Sequence, residues 1–151
     1  MTREILFRGK RKDNGEWVYG SYVVTPKGKS RIYYAPFKTA TQNTYQEVLP
    51  ESVGQFIGLL DKNGKKIFGR DILFEDILNT DPGHKKIPDY CVIVSMQYGC
   101  FGYEPTHYSK VHPDDQKWQS FYNSDDEELI NMNYFEVIGN ATDNPELLED
   151  K

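Results

Sequence analysis

Cysteine is scarce: Cys91 and Cys100 are the only two in 151 residues. That is too few for a disulfide framework, and a chain of this length buries enough apolar surface to fold without staples. Long hydrophobic runs are missing as well. No stretch approaches the roughly 18 consecutive apolar residues of a membrane helix, and the opening MTREILFRGKRK lacks the apolar core of a secretory signal. These absences argue against an integral membrane protein and a secreted one, and predict a cytoplasmic location. Catalytic signatures are equally sparse. There is no G-x-S-x-G elbow to support acyl transfer. The three histidines, His84, His107 and His112, form no HExxH arrangement. Asp114 and Asp115 lie near two of them, so a loop metal site is the chemical alternative to plain surface histidines, which are the simpler reading.

What the chain does have is aromatic residues, 14% of the total, led by 11 Tyr and 8 Phe. Such residues suit pleated, half-buried surfaces better than Ala/Leu-rich helix faces, so composition leans towards β-structure. Turn chemistry punctuates it. Asp13-Asn14-Gly15 separates EILFRGKRK from EWVYGSYVV and predicts a hairpin. Pro26-Lys27-Gly28-Lys29 marks a second turn before Arg31-Ile32-Tyr33-Tyr34, and residues 45–48 form a further strand candidate after a loop at 36–43. Asp61-Lys62-Asn63-Gly64 closes a hairpin that begins in residues 52–60. Residues 79–89, with Pro82-Gly83 and Pro88, read as a loop or insertion, and YCVIVSMQY at 90–98 is the strongest core strand. Gly99 to Tyr103 is expected to be the turn that follows it. Ser124-Asp125-Asp126-Glu127 has the form of a capping box and predicts a short helix to about Ile130. Tyr134 to Asn140 is the last strand, and Asn144-Pro145 opens a C-terminal turn of helix capped by Asn144.

Charge is unevenly distributed. Residues 1–70 hold 13 Lys/Arg against 6 Asp/Glu, or +7, and residues 71–151 hold 5 against 17, or −12, which together give the net −5. A basic first part suits either a phosphate backbone or attraction between complementary halves within or between subunits. The basic residues also interleave with aromatics: Phe7, Arg8, Lys10, Arg11, Lys12, Trp17, Tyr19, Tyr22, Lys27, Lys29, Arg31, Tyr33 and Tyr34. On a sheet such residues can stack bases while cations track phosphates. Equally, alternating aromatics face a core and cations collect at turns.

Several motifs fail on spacing. Gly58 to Lys66 has five residues rather than four between its glycines, and Lys66 stands where a P-loop needs Ser or Thr. Asp61 and Asn63 begin like a calcium loop, but Lys65 and Ile72 occupy positions where oxygen ligands are required. Cys91 and Cys100 could face one another across the predicted hairpin as a redox or thiolate pair. Buried structural cysteines are the simpler reading, with no basic neighbour in sequence to lower a thiol pKa. No residue is assigned a catalytic, cofactor-binding or metal-binding role.

Three blocks carry a family resemblance. They are Phe7-Arg8-Gly9-Lys10 with Trp17-Val18-Tyr19-Gly20; residues 53–64 running into Ile67-Phe68 and Asp71-Ile72; and residues 134–140 ending in Asn144-Pro145-Glu146-Leu147-Leu148. Together they resemble the YopX family, uncharacterised proteins encoded largely by phages and prophages. One departure stands out: the family usually places an acid and then Gly before Asp71, where this chain has Gly69-Arg70. The resemblance implies an all-β fold of small barrel-like sheets with an SH3-like portion and few short helices. It also implies one domain over residues 1–151, with sub-barrels near 1–50 and 51–142. In that fold Gly64 relieves the turn, Asp71 accepts backbone N–H groups, and Ile67, Ile72 and Phe74 fill the barrel. It supplies no mechanism, no cofactor and no site. The function expected is a non-enzymatic binding or assembly module, acting on an unidentified protein or on further copies of itself, in the host cytoplasm if phage-encoded. Single-stranded nucleic acid is the alternative partner, and an enzyme of unknown class the remoter one. No membrane partner is expected.

Overall fold

Among the described residues, β-branched and aromatic segments set off by turn residues form strands. The computed structural model describes residues 4–34, 44–75, 91–106, 118–123 and 128–149. All of its sheets are antiparallel, the only helical segments among the described residues are single 3-10 turns, and the all-β expectation is borne out. The chain divides into two compact units, Met1–Gly58 and Leu59–Lys151.

In the N-terminal unit, β1 (Phe7–Lys10), β2 (Trp17–Val24), β3 (Ser30–Tyr33), β4 (Tyr45–Glu47) and β5 (Gly54–Leu60) lie in the order β4-β3-β2-β1-β5, with β5 running on past the unit boundary. The turns are those the sequence predicts. Gly15 takes the left-handed φ of 72° while Asn14 accepts the Glu16 N–H at 2.9 Å, and Gly28 takes φ 77° in the turn into β3. One face of the sheet carries the core, with Ile32 and Val48 fully buried and the Phe7 and Tyr22 rings 5.7 Å apart. Gly20 belongs to this face and must be glycine, because a Cβ there would overlap the Tyr33 carbonyl oxygen.

The C-terminal unit contains β6 (Lys66–Phe68), β7 (Asp71–Glu75), β8 (Cys91–Gln97), β9 (Cys100–Pro105), β10 (Gln119–Ser120), β11 (Tyr122–Asn123), β12 (Glu128–Leu129) and β13 (Phe135–Asn140). Five of them form a sheet in the order β10-β9-β8-β7-β13, and β11 pairs with β12. Strand β7 is buried at Asp71, Ile72, Leu73 and Phe74 in succession, the pattern of a strand covered on both faces. On one face Ile72, Phe74 and Cys91 pack with Ile138, Leu147 and Leu148, the last two supplied by the 3-10 turn Pro145–Leu148. Elsewhere in the unit, Tyr103, Phe121 and Phe135 form a ring cluster with centroids 5.0 to 5.9 Å apart.

Five sequence expectations need correction. The sheets stay open and do not close into barrels. Among the described residues of the N-terminal unit, the isolated Arg11–Val48 bridge and the Lys10 N–H to Ser52 Oγ bond join the end of β1 to the chain after β4, too little for the continuous staggered pairing a barrel needs. In the C-terminal unit the outer edge of β13 is occupied, since Lys62 N–H donates to the Phe135 carbonyl and Val137 N–H to Asp61 Oδ2. The helix expected to reach Ile130 is absent at its C-terminal part, where Glu128–Leu129 is a strand paired with β11; residues 124–127 lie outside those described. The β8–β9 turn is at Tyr98-Gly99, with φ of 52° and 79°, a tight hairpin geometry that leaves Cys100 to Tyr103 inside β9. Asn144 does not cap the turn it precedes; its Oδ1 instead accepts the Asn140 N–H at 3.2 Å. Finally, Cys91 lies opposite Phe74 and Cys100 opposite Gln97. Six residues of strand separate them, about 20 Å at about 3.3 Å each, so they form no pair.

Candidate binding surface

Register decides what the interleaved cations and aromatics become. Arg8 stands opposite Tyr19 and Lys10 opposite Trp17; Ser21 opposite Tyr33 and Val23 opposite Arg31; Tyr33 opposite Tyr45 and Arg31 opposite Glu47. Residues directly opposite share a face, and alternate residues along a strand share it too. One face of β1–β4 therefore gathers Arg8, Lys10, Trp17, Tyr19, Arg31, Tyr33, Tyr45 and Glu47, while Phe7 and Tyr22 turn to the core face. Side-chain geometry agrees. The Arg8 guanidinium lies 4.7 Å from the Trp17 ring centroid, Arg31 lies 4.2 Å from that of Tyr45, and the Tyr33 and Tyr45 rings are 5.2 Å apart.

This face is graded rather than uniformly open. Arg8 is buried, and Trp17, Arg31 and Tyr33 are half-buried, whereas Tyr19 is 48% exposed, Val23 42% and Tyr45 38%. Its charges are partly balanced. Lys29 Nζ is 3.1 Å and Arg31 Nη2 3.9 Å from Glu47 Oε1, so one carboxylate is shared by two cations. The Lys29 hydrogen bond, joined by the charges of Lys12 and Arg31, holds the Glu47 carboxyl below its usual pKa. Arg11 is engaged elsewhere, bidentate to Asp13 at 2.8 and 2.6 Å within its own turn. Of the residues singled out in sequence, the fold thus brings Arg8, Lys10, Trp17, Tyr19, Arg31 and Tyr33 together and sends Phe7, Tyr22 and Arg11 elsewhere. Tyr45 and Glu47 were missed. Their alternation was visible, but nothing in the sequence says that β4 lies beside β3 with Tyr45 against Tyr33.

Sheet edges offer much less to a partner. Strands β4 and β6 have three residues each and β10 two, and β13 gives its outward groups to the Asp61 turn. Asp61 is a third residue whose role was not foreseen. Its Oδ1 accepts the Asn63 and Lys65 N–H groups, both at 2.9 Å, and its Oδ2 the Val137 N–H at 3.0 Å, 76 residues away. Burial alone would raise this carboxyl, but the donors from Val137, Lys65 and Asn63 outweigh it and keep the group below its ordinary pKa. Asp71 takes the structural role expected of it, accepting the Phe68 N–H at 2.8 Å. Ile67, Ile72 and Phe74 are buried, in an open sheet architecture rather than a barrel.

Beside β13 there is a cavity of about 570 Å³ lined by Cys91, Val137, Ile138 and Leu147, with Glu136, Asn144 and Glu146 as its polar residues. Those polar groups are engaged locally: Glu136 with Lys62 at 3.3 Å, and Asn144 Nδ2 with Glu146 at 3.3 Å. Among the described residues no group of three His, Cys, Asp or Glu side chains converges to hold a metal. His84, His107, His112, Asp114 and Asp115 lie outside the described residues, as do the loops at 36–43 and 79–89. No helix of the described residues is long and apolar enough to cross a membrane.

The described residues define an all-β protein of antiparallel sheets, with aromatic and cationic side chains gathered on one sheet face. A family profile described as "YopX protein" matches residues 6–149, nearly the whole length, and the chain belongs to the YopX family. The fold is similar to that of the crystal structure of protein EF1440 from Enterococcus faecalis. The two share 20% identity over 98% of this chain and 100% of that one, with a TM-score of 0.55, a likeness of fold. No curated protein matches the chain.

Proposed function

We propose that this YopX-family chain is a non-enzymatic binding module whose binding surface is the outward face of β1–β4. The observation that carries the reading is the sorting of side chains by register, which collects Lys10, Trp17, Tyr19, Arg31, Tyr33 and Tyr45 on one face. Aromatic residues and arginine are the side chains that dominate binding energy at interfaces, because they bring large area at little entropic cost. Short and occupied edges support a face in preference to strand addition. Action inside a host cell, with a phage or prophage origin, is part of the same proposal.

The test is co-purification from cells with the tagged full chain and its Tyr19→Ala variant, across a salt series with and without nuclease. Tyr19 is half exposed and no core residue, so the variant stays folded while a partner that uses the face is lost. Equal retention of every partner by both proteins overturns the assignment of the face.

Charge division favours a second reading, self-association. Residues 1–58 carry 9 Lys/Arg against 5 Asp/Glu, or +4, and residues 59–151 carry 9 against 18, or −9. Opposed units of this kind attract between copies. Light scattering at low salt then reports a species larger than 17.6 kDa that dissociates at high salt. A monomer at high protein concentration and low salt removes this reading.

A further inference from the structure

We infer that the ligand of the β1–β4 face is single-stranded nucleic acid, an inference that rests on the face being the binding surface. Three observations favour this ligand over an acidic protein segment. First, the face offers π-surfaces as well as charge: Tyr19 and Tyr45 are exposed, and the Tyr33 and Tyr45 rings lie 5.2 Å apart. A wholly acidic segment such as poly-glutamate brings no ring to stack on these aromatic planes, whereas every nucleobase has a π-face. Secondly, Lys10, Lys29 and Arg31 stand beside those rings, with the Glu47 carboxylate touching Lys29 and Arg31. Cations beside aromatics on a sheet are what a strand with phosphates on one side and splayed bases on the other requires.

Thirdly, the dimensions fit. Trp17 to Val23 runs six residue steps along β2, or about 20 Å at about 3.4 Å per step, and neighbouring strands stand about 4.8 Å apart. That area accommodates about four nucleotides, the lower end of the range for small β-domains that bind single strands. A duplex keeps its bases stacked inside and can use only the cations. The face therefore discriminates single strands from duplex by stacking, and tolerates sequence because no base-edge readout is needed.

Glu47 acts as the built-in competitor of the phosphates, holding Lys29 and Arg31 in an internal ion pair until a strand displaces it. Removing that carboxylate strengthens binding, the reverse of what loss of an ordinary contact does.

The experiment is fluorescence anisotropy of a labelled oligothymidylate of roughly 12 nucleotides, with duplex of the same length and poly-glutamate as comparison ligands, using the full chain. Oligothymidylate binds more tightly than either comparison ligand. Three phosphate contacts give a salt slope near −2, so affinity falls about twentyfold between about 50 and 200 mM salt. Tyr19→Ala weakens binding by about fivefold to a hundredfold, and Tyr19→Phe, which keeps the ring, retains it. Glu47→Gln tightens it by a few-fold at low salt. No oligothymidylate binding at low salt overturns the inference, as does binding indifferent to Tyr19→Ala or matched by poly-glutamate. If the oligonucleotide fails while Tyr19→Ala still releases a co-purifying protein, the face remains the binding surface and only its ligand changes. If neither responds to Tyr19→Ala, both readings fall.

Discussion

The two units solve the same problem, an antiparallel sheet with an aromatic-rich sequence, in opposite ways. In the C-terminal unit the sheet is covered: β7 is buried at four successive positions, and Leu147 and Leu148 pack over Ile72, Phe74 and Cys91. In the N-terminal unit β2 alternates half-buried and exposed residues, and its second face keeps Tyr19 and Val23 in solvent. Identical residue types thus become core in one place and surface in the other. Phe135, Phe121 and Tyr103 pack in a core, while Tyr19 and Tyr45 stay partly in solvent. The charge follows the same division, −9 where the sheet is enclosed and +4 where a face stays open, by the counts given above.

That contrast is broken most directly at Phe135, which is fully buried in the ring cluster. Phe135→Ala loses about 3–5 kcal/mol of stability, read as a shift in the urea midpoint. Next comes Asp61, whose carboxylate accepts three backbone N–H groups. In Asp61→Asn one oxygen becomes a donor facing another donor, at a cost of about 2 kcal/mol at neutral pH. Its pH dependence has a definite sign. Because the folded-state pKa is depressed, the stabilisation is fully present above the unfolded value of about 3.9 and is lost as pH falls through the folded value. Urea titrations at pH 7 and in acid therefore show the wild-type advantage over Asp61→Asn shrinking below about pH 4.

A smaller effect, opposite in sign, is expected at Arg70. It holds φ of 71°, the left-handed conformation that favours glycine. Arg70→Gly raises stability by about 0.5–1 kcal/mol, or about 2 °C in Tm. The smallest effect belongs to the open face: Tyr19→Ala changes stability by under about 0.5 kcal/mol by the same urea assay, against the large loss at Phe135. A loss at Tyr19 comparable with that at Phe135 would mean the N-terminal face is structural, and the contrast between the units would dissolve.

Arg70 also explains the departure from the family pattern. Arg70 stands where the family usually places glycine, and it takes the left-handed φ of 71° itself. Two backbone bonds hold it, Arg70 N–H to the Val94 carbonyl at 2.9 Å and Ala141 N–H to the Arg70 carbonyl at 2.9 Å. Tertiary hydrogen bonds outweigh a local penalty of about 1–2 kcal/mol.

Much of the fold was legible because it is local. Alternation and turn residues gave β1, β2, β3, the hairpin closed at Asp61 to Gly64, the strand of 91–97 and the last strand, since each depends on residues within a few positions of one another. The errors fell where local and distant preferences compete. Glu128–Leu129 follows a capping-box pattern but pairs with β11, because a partner strand satisfies its backbone as well as a helix does. The tight turn forms at Tyr98-Gly99 where Gly99 to Tyr103 was expected, because the pairing of Gln97 with Cys100 fixes the register. The candidate surface was half legible: its residue types were readable, and its membership was not. Tyr45 and Glu47 join Arg31 and Tyr33 only through the pairing of β3 with β4 across residues 34–44, and the sequence carries no mark of that register.

By itself, then, the sequence determined the all-β class, the turns at Gly15, Gly28 and Gly64, the charge division and the family, because composition, spacing and motif order are properties of the chain read in line. Tertiary structure alone decided which aromatics are core and which are surface, that Cys91 and Cys100 lie apart, that the sheets stay open, and that Asp61 ties a hairpin to a strand 76 residues away. Those outcomes depend on register and on long-range hydrogen bonds, and a one-residue slip in register exchanges the two faces of every strand it touches.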